Sequence, residues 1–389
     1  MNEPITVVFV AALPLKTSHA GQIYAMMGFV RAVSSLADPG LRALVVCPYA
    51  APDWGDGLDG GRILAWTGTD ALAGRLDAPT PFEVDPRRTL FNINGLNPAC
   101  RTVVARLRKC GYRWYETSHG EFDIHRFRKF PKKFLYCNFL SGVVRHASGF
   151  HFLSLRERRE SRLLFPFFGA RKAMVDTVQV QEVASGGRPP RSDGDPFTFG
   201  YIGRLDIRHK GLDILVKAFA RCLCRAGKGP RGRGCGAKGL RLVLVGPDWR
   251  GGEARLRALA GRLGVSEWVE FPGPKFGDEK RRMLESFDAF VTLSRWDCSP
   301  VSVHEALAAG VPTVVSGRNN LSPQLSAAHA ALVTDMSVAS LERGMGRLLD
   351  NPLLLSTLSA NGRSWIAAEA SPKAIGWKLA DFFRRCLGQ

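Results

Sequence analysis

GYIGRLDIRHKGLDILVK at residues 200–217 and FVTLSRWDCSPVSVHEALAAGVPTVVS at residues 290–316 decide the fold. Each opens on a short apolar run, turns, and enters a helix with apolar periodicity. That is the strand-to-helix transition of a parallel α/β domain. In the first stretch Arg204 and Lys210 lie six residues apart around the turn. In the second, Asp297 precedes Glu305 by eight residues, and Gly310 and Pro312 close the helix. Two cations at one strand end and two carboxylates at another suit a ligand with an anionic diphosphate and several hydroxyls. A sugar nucleotide is such a ligand.

The alternation extends outward in both directions. Strands are expected at 197–202, 240–245, 268–271, 288–293 and 312–316, with helices at 211–225, 252–263, 278–287 and 301–310. Toward the N-terminus, ITVVFVAA at 5–12 reads as a buried parallel strand. A turn at 13–21 leads into a helix from Gly21 to Ser35. Further strands are read at 42–48, 63–66, 89–93, 112–117 and 149–154, with a helix at 99–110. ASGGRPPRSDGD, 184–195, has the composition of a linker. The pattern therefore predicts two doubly wound Rossmann-like α/β domains: 1–185, a linker at 186–195, and 196–370. A last helix, 371–389, packs back on the first domain, with Trp377, Phe382 and Phe383 on one face. The Gly-rich basic stretch 226–239 reads as a surface insertion.

With 389 residues, two domains are the natural division. The formal charge of +19 favours an anionic ligand or surface through attraction that salt weakens. Nine irregularly spaced cysteines do not form a disulfide framework. Cys222, Cys224 and Cys235 lack the paired spacing and matched histidine of a zinc site, so no metal is expected. No apolar run reaches the roughly 18 residues of a spanning helix. The N-terminal MNEPITVVFVAALPLK lacks a basic leader region and reads as a first strand. A cytoplasmic protein is expected, peripheral on the inner face of the membrane.

Four segments carry a family resemblance: GRLDIRHKGLDILVKAF (203–219), LVLVGPD (242–248), VEFPG (269–273) and DCSPVSVHEALAAGVPTVV (297–315). They resemble the retaining glycosyltransferases of family 4, the group 1 type, across about 120 residues. The N-terminal half is similar only in its strand pattern, in Gly21 and in Ser118-His119-Gly120. The resemblance implies the GT-B fold, in which the two domains face a central cleft. It also implies a sugar-nucleotide donor in the C-terminal domain and an acceptor in the N-terminal one.

By that resemblance Arg204 and Lys210 take the diphosphate, a bidentate fork and a point charge that neutralise the leaving group. Glu305 accepts from ribose hydroxyls and Asp297 from those of the sugar. Ser299, Val301 and Ser302 offer backbone amides at a helix start. Pro272 and Gly273 lie where relatives hold the base, His119 reaches the sugar, and Gly21 lets backbone approach the phosphates. Asp297 stands where the family usually has Glu, one methylene longer. With the cations in place and no acidic pair, the implied reaction is metal-independent front-face displacement, with no resident cofactor.

Residues 122–191 hold 14 Lys/Arg against 5 Asp/Glu, with phenylalanines interleaved. In 122–172 this mixture suits an anionic membrane carrying a lipid-linked acceptor, or equally a solvated face over core aromatics. No nucleic-acid motif is present and no nucleic acid is expected. The reading is a retaining hexosyltransferase acting on a glycan or lipid-linked acceptor in bacterial surface polysaccharide or glycolipid synthesis. Two rivals are a GT-B sugar-nucleotide epimerase, and a non-catalytic descendant that binds a glycan or partner.

Overall fold

Short β-branched runs build two parallel sheets, seen here in a computed structural model describing residues 4–10, 20–47, 62–65, 85–94, 98–124, 141–164, 172–183, 195–225 and 239–389. The first sheet contains β1 (Ile5–Val10), β2 (Leu41–Cys47), β3 (Arg62–Ala65), β4 (Thr89–Asn94), β5 (Arg113–Ser118), β6 (Gly149–Phe152) and β7 (Ala173–Asp176). Their order is β3-β2-β1-β4-β5-β6-β7, with every pairing parallel. Helices α1 (Ala20–Ser34), α2 (Pro98–Lys109), α3 (Ser141–His146) and α4 (Leu155–Leu164) lie between them in sequence.

The second sheet contains β8 (Phe197–Ile202), β9 (Leu240–Val245), β10 (Val269–Glu270), β11 (Ala289–Thr292), β12 (Thr313–Ser316) and β13 (Leu332–Thr334). Its order is β10-β9-β8-β11-β12-β13. The connecting helices are α5 (Ile207–Lys210), α6 (Leu212–Arg225), α7 (Gly252–Leu263), α8 (Gly277–Glu285), α9 (Val301–Ala308), α10 (Ser322–Ala327), α11 (Val338–Asp350) and α12 (Pro352–Trp365). Helix α6 shows why the pattern folds. Leu212, Leu215, Val216, Phe219, Cys222 and Leu223 recur at helical spacing and are all buried in the core of this sheet.

Each sheet reverses its winding once, at β1/β4 and at β8/β11. Ligands of open α/β sheets bind beyond the carboxyl ends of the strands at such a reversal. Packing groups the chain into Met1–Gln181 with Glu369–Gln389, and Glu182–Ala368. The segment 186–194 and nearly all of 226–239 fall outside the described residues.

Helix α13 (Pro372–Leu387) belongs to the first unit. Ser371 caps it by accepting from the Ala374 amide, and Pro372 takes the first turn. Gly376 sets it against α1: a Cβ there would meet the Ala32 carbonyl oxygen at 2.4 Å. Phe382 and Phe383 are fully buried, and Phe382 meets Tyr115 edge to face with centroids 5.2 Å apart. Trp377, expected on the same face, is 52% exposed. Five residues separate it from Phe382, a rotation of about 140° at 3.6 residues per turn, which turns it away from the sheet.

Candidate functional site

In the C-terminal unit the two motif stretches leave neighbouring strands, β8 and β11, at the reversal of the sheet. After β8 the backbone turns through Gly203 and Arg204, and the Tyr201 hydroxyl donates to the Arg204 carbonyl at 2.8 Å. Asp206 caps α5 by accepting from the His209 amide at 3.0 Å. Gly211 then takes φ 63°, and a Cβ there would meet the Leu293 carbonyl oxygen at 2.5 Å. A residue with a side chain could adopt neither that dihedral comfortably nor that approach.

This turn carries Lys210 to Asp297. Lys210 Nζ lies 2.6 Å from Asp297 Oδ2, and the Ser294 hydroxyl donates to the same oxygen at 3.0 Å. Burial pushes the Asp297 carboxyl up, but the charge and hydrogen bond of Lys210 outweigh it, helped by His209 and Ser294. The net effect holds Asp297 below the usual carboxylate range. Its backbone is pinned as well, since the Asn320 amide donates to the Asp297 carbonyl at 2.9 Å. His209 stacks on Trp296 with centroids 4.2 Å apart, and burial together with Lys210 lowers it to about 4.

Arg204 is exposed, and its guanidinium lies 4.5 Å above the Trp249 ring, a stacking that holds the fork in place. Trp249 follows β9, where Asp248 accepts from the amides of Gly251 and Glu253. The ends of β8 and β9 touch: a Cβ on Gly246 would lie 1.9 Å from the Gly203 carbonyl oxygen. The Gly246 amide in turn donates to the Gly273 carbonyl, which brings the Pro272-Gly273 loop to the same end of the sheet.

Helix α9 starts at Val301 after Pro300, with no side chain capping it. Ser299, just before it, is buried, and its hydroxyl has no hydrogen-bond partner among the described residues. Glu305 is the fifth residue of this helix, one turn above Val301. Helical side chains lean toward the N-terminus, so Glu305 still reaches back over that turn. Lys280 of α8 lies 2.6 Å from both carboxylate oxygens and donates with good geometry to Oε1; Oε2 is buried without an aligned donor.

In the N-terminal unit Gly21 lies in the first turn of α1, and the residues before it, 11–19, are outside the described set. His119 follows β5 directly, and its Nε2 lies 3.2 Å from Asn94 Oδ1. Of the basic–aromatic region 122–172, residues 125–140 and 165–171 are outside the described set. Within the described part Arg156 pairs with Glu160 at 2.9 Å and Arg158 pairs with Asp176, while Leu163 is 79% exposed.

Sequence reading missed three partners: Trp249 under Arg204, Lys280 on Glu305, and Asn94 on His119. Each contact joins residues from different strands or helices, so no local spacing announces it. The one local signal was the three basic residues following the acidic first turn of α8, Lys280, Arg281 and Arg282.

Two parallel Rossmann-like units, each with its reversal, define the GT-B fold class. Residues 188–365 match the model of the family described as Glycosyl transferases group 1. HepE of Anabaena, solved in complex with UDP and glucose, superposes with a TM-score of 0.70 at 13% identity, covering 97% of this chain and 98% of that one. The sucrose-phosphate synthase of Thermosynechococcus elongatus gives 0.71 at 17% identity, covering 98% and 99%. In sequence, 201 residues are 29% identical to the GDP-mannose-dependent alpha-(1-6)-phosphatidylinositol monomannoside mannosyltransferase of Mycobacterium tuberculosis, 49% of this chain and 48% of that protein. WcaL of Salmonella typhimurium, named for colanic acid biosynthesis, is 26% identical over 226 residues, 55% of this chain and 51% of that protein. The chain thus spans about half the length of these relatives.

Proposed function

We propose that this protein is a retaining glycosyltransferase that moves a sugar from a nucleotide-diphosphate sugar to a glycan or lipid-linked acceptor. The observation that carries the reading is the Lys210–Asp297 pair at 2.6 Å at the reversal of the C-terminal sheet, with Arg204 between the same β8 and α5 that lead to Lys210. Lys210 and Ser294 both bond Asp297 Oδ2, so Oδ1 keeps its lone pairs for sugar hydroxyls. Lys210 keeps further N–H donors for a phosphate oxygen, and the exposed Arg204 fork takes an oxygen pair. Glu305 Oε2 is buried, unaligned, and suited to a ribose hydroxyl. Ser299 and the amides of Val301 and Ser302 complete the anion cradle.

In this reading the positive charges stabilise the departing diphosphate without a metal ion, and the phosphate oxygen that leaves takes the proton of the attacking hydroxyl. No resident cofactor takes part. The N-terminal unit serves the acceptor, with His119 assigned to the transferred sugar and Gly21 to the phosphate side. The names of the sequence relatives support a bacterial surface polysaccharide or a glycolipid as product. The exposed Leu163 and the net positive charge suit a peripheral site on a cytoplasmic membrane face.

A thermal-shift panel of UDP, GDP, ADP, CMP and dTDP sugars tests this. A ligand at a hundred times its dissociation constant adds about 2.7 kcal/mol to stability. One nucleotide class is expected to stabilise the protein, with the effect lost in Lys210→Ala and undiminished by EDTA. Equal stabilisation of wild type and variant, or none by any nucleotide, would remove the assignment.

A further inference from the structure

Beneath α1, a row of buried polar side chains crosses three adjacent strands of the N-terminal sheet and ends at His119. From His119 Nε2 it runs to Asn94 Oδ1 at 3.2 Å, and from Asn94 Nδ2 to Asn92 Oδ1 at 2.6 Å. Asn92 Nδ2 then donates to the Thr117 hydroxyl at 2.8 Å, which lies 3.2 Å from His151 Nδ1. His151 Nε2 ends the row on the Thr177 hydroxyl at 2.6 Å. All but His119 are at least nine-tenths buried, and Phe29 of α1 covers His151 edge to face at 4.7 Å. The register explains the line: Asn94 pairs with Thr117 across β4 and β5, and Thr117 with His151 across β5 and β6. An apolar residue at each position would fill the same space without requiring partners, so a row this long has to be satisfied throughout.

Such a row has two self-consistent directions, because reversing both amides and all the hydroxyls reverses every bond together. One contact breaks the tie. Asn94 Nδ2 also donates to the Val10 carbonyl at 3.4 Å, and reversing Asn94 would set its oxygen against that carbonyl. Asn94 therefore turns Oδ1 toward His119, and only an N–H can meet it. The far end accommodates this direction: burial holds His151 neutral, lowered to about 3, and the tautomer with the proton on Nε2 accepts from Thr117 and donates to Thr177.

We infer that Asn94 is a positioning residue, which holds the His119 ring in one orientation with the proton on Nε2 and presents Nδ1 as the acceptor atom. Val10 and the Asn92–Thr117–His151 row set the sense of that bond from within the sheet. The structural part stands alone; its consequence for turnover rests on the glycosyltransferase reading. A ring able to offer either tautomer would spend part of its time with the wrong atom toward its ligand.

Long-range 15N NMR of histidine-labelled full-length protein, with the neutral His119 signals assigned through His119→Gln, reads the tautomer directly. The wild type is expected to show pyrrole-type Nε2 and pyridine-type Nδ1. In Asn94→Leu the two shifts should converge as tautomers mix. A pyrrole-type Nδ1 in the wild type would overturn the inference, and that measurement needs no variant to fold. An unchanged pattern in a folded Asn94→Leu would overturn it too. With a sugar donor identified, Asn94→Leu is expected to lower kcat about tenfold with little change in KM, by analogy with the loss of groups that orient a histidine. A normal kcat alongside mixed tautomers would leave the positioning intact and count against His119 acting on the sugar.

Discussion

Asp297 is where a one-methylene difference from the family's usual Glu has consequences. The shorter side chain is held from two directions, by Lys210 at 2.6 Å and Ser294 at 3.0 Å, and its backbone bonds Asn320. In the proposed glycosyltransferase reading, a carboxylate so fixed could not swing to meet a range of sugars, so its position would select which hydroxyl it meets. Its charge also restrains Lys210. Asp297→Asn should therefore separate two effects. Free nucleoside diphosphate should bind as tightly or more tightly, because Lys210 loses its competing partner. Turnover of the sugar donor should fall about 10- to 100-fold, the range of a lost charged hydrogen bond of about 1.5–3 kcal/mol. Calorimetry with the free diphosphate, beside a turnover assay, decides it. Loss of diphosphate binding together with turnover would show Asp297 to be a structural prop for Lys210. Of these contacts, the four charged residues could be read from sequence because each strand-to-helix turn writes them into a short segment. The Lys210–Asp297 pairing could not: the two lie 87 residues apart and meet only because β8 and β11 become neighbours in the sheet.

At the scale of elements, strands with β-branched apolar runs announce themselves, because burial on both faces removes the need for polar alternation. The elements that escaped sequence reading lack that signal. Strand β13 is three residues long, at a sheet edge, and α4, LRERRESRLL, is mostly charged. Helix α11 carries Gly344 and Gly346, which read as helix breakers, yet a Cβ on Gly344 would lie 2.9 Å from Thr334 Cγ2. There glycine buys close approach to β13. The same device docks α13, where Gly376 meets the Ala32 carbonyl of α1 and Gly149 of β6 accommodates Cys386 and Phe382. Gly376→Ala is therefore expected to destabilise the N-terminal unit by about 1–3 kcal/mol, the usual cost of overpacking, even though alanine favours helix. Urea unfolding compares the variant with wild type. A stabilised variant would mean that propensity outweighs the contact, and that α13 can shift on α1 at little cost.

Across the whole molecule, the two units hold buried titratable groups of different kinds, and this sets how each responds to acid. In the C-terminal unit burial lowers both His209 and His304 to about 4. Their folded pKa lies below the ordinary value of 6.5, so between these values the unfolded chain binds protons that the folded chain does not. Stability is then complete above pH 6.5 and lost as pH falls toward 4, at up to about 1.4 kcal/mol per pH unit per group. Among the described residues of the N-terminal unit, one buried histidine is of this kind, His151, lowered to about 3; the exposed His146 is lowered too, and one buried group has the opposite sign. Glu116 lies fully buried in β5, neither carboxylate oxygen hydrogen-bonded among the described residues, and burial, with Glu121 adding, raises it well above 4.5. Its contribution is complete below that value and lost as pH rises, so between pH 4.5 and 6.5 it offsets His151. Acid should therefore weaken the C-terminal unit first. Two buried free thiols report the units separately, Cys222 for the C-terminal and Cys386 for the N-terminal. The protein is equilibrated across a urea series at pH 7 and at pH 5, then given a brief pulse of thiol reagent at one common pH. Between the two series the labelling midpoint should drop further for Cys222 than for Cys386. In Glu116→Gln the opposing group is gone, so Cys386 should become acid-sensitive as well, while the variant gains stability at pH 7. Equal shifts at both thiols in the wild type would mean that other charges, spread over a molecule of net charge +19, dominate its response to acid.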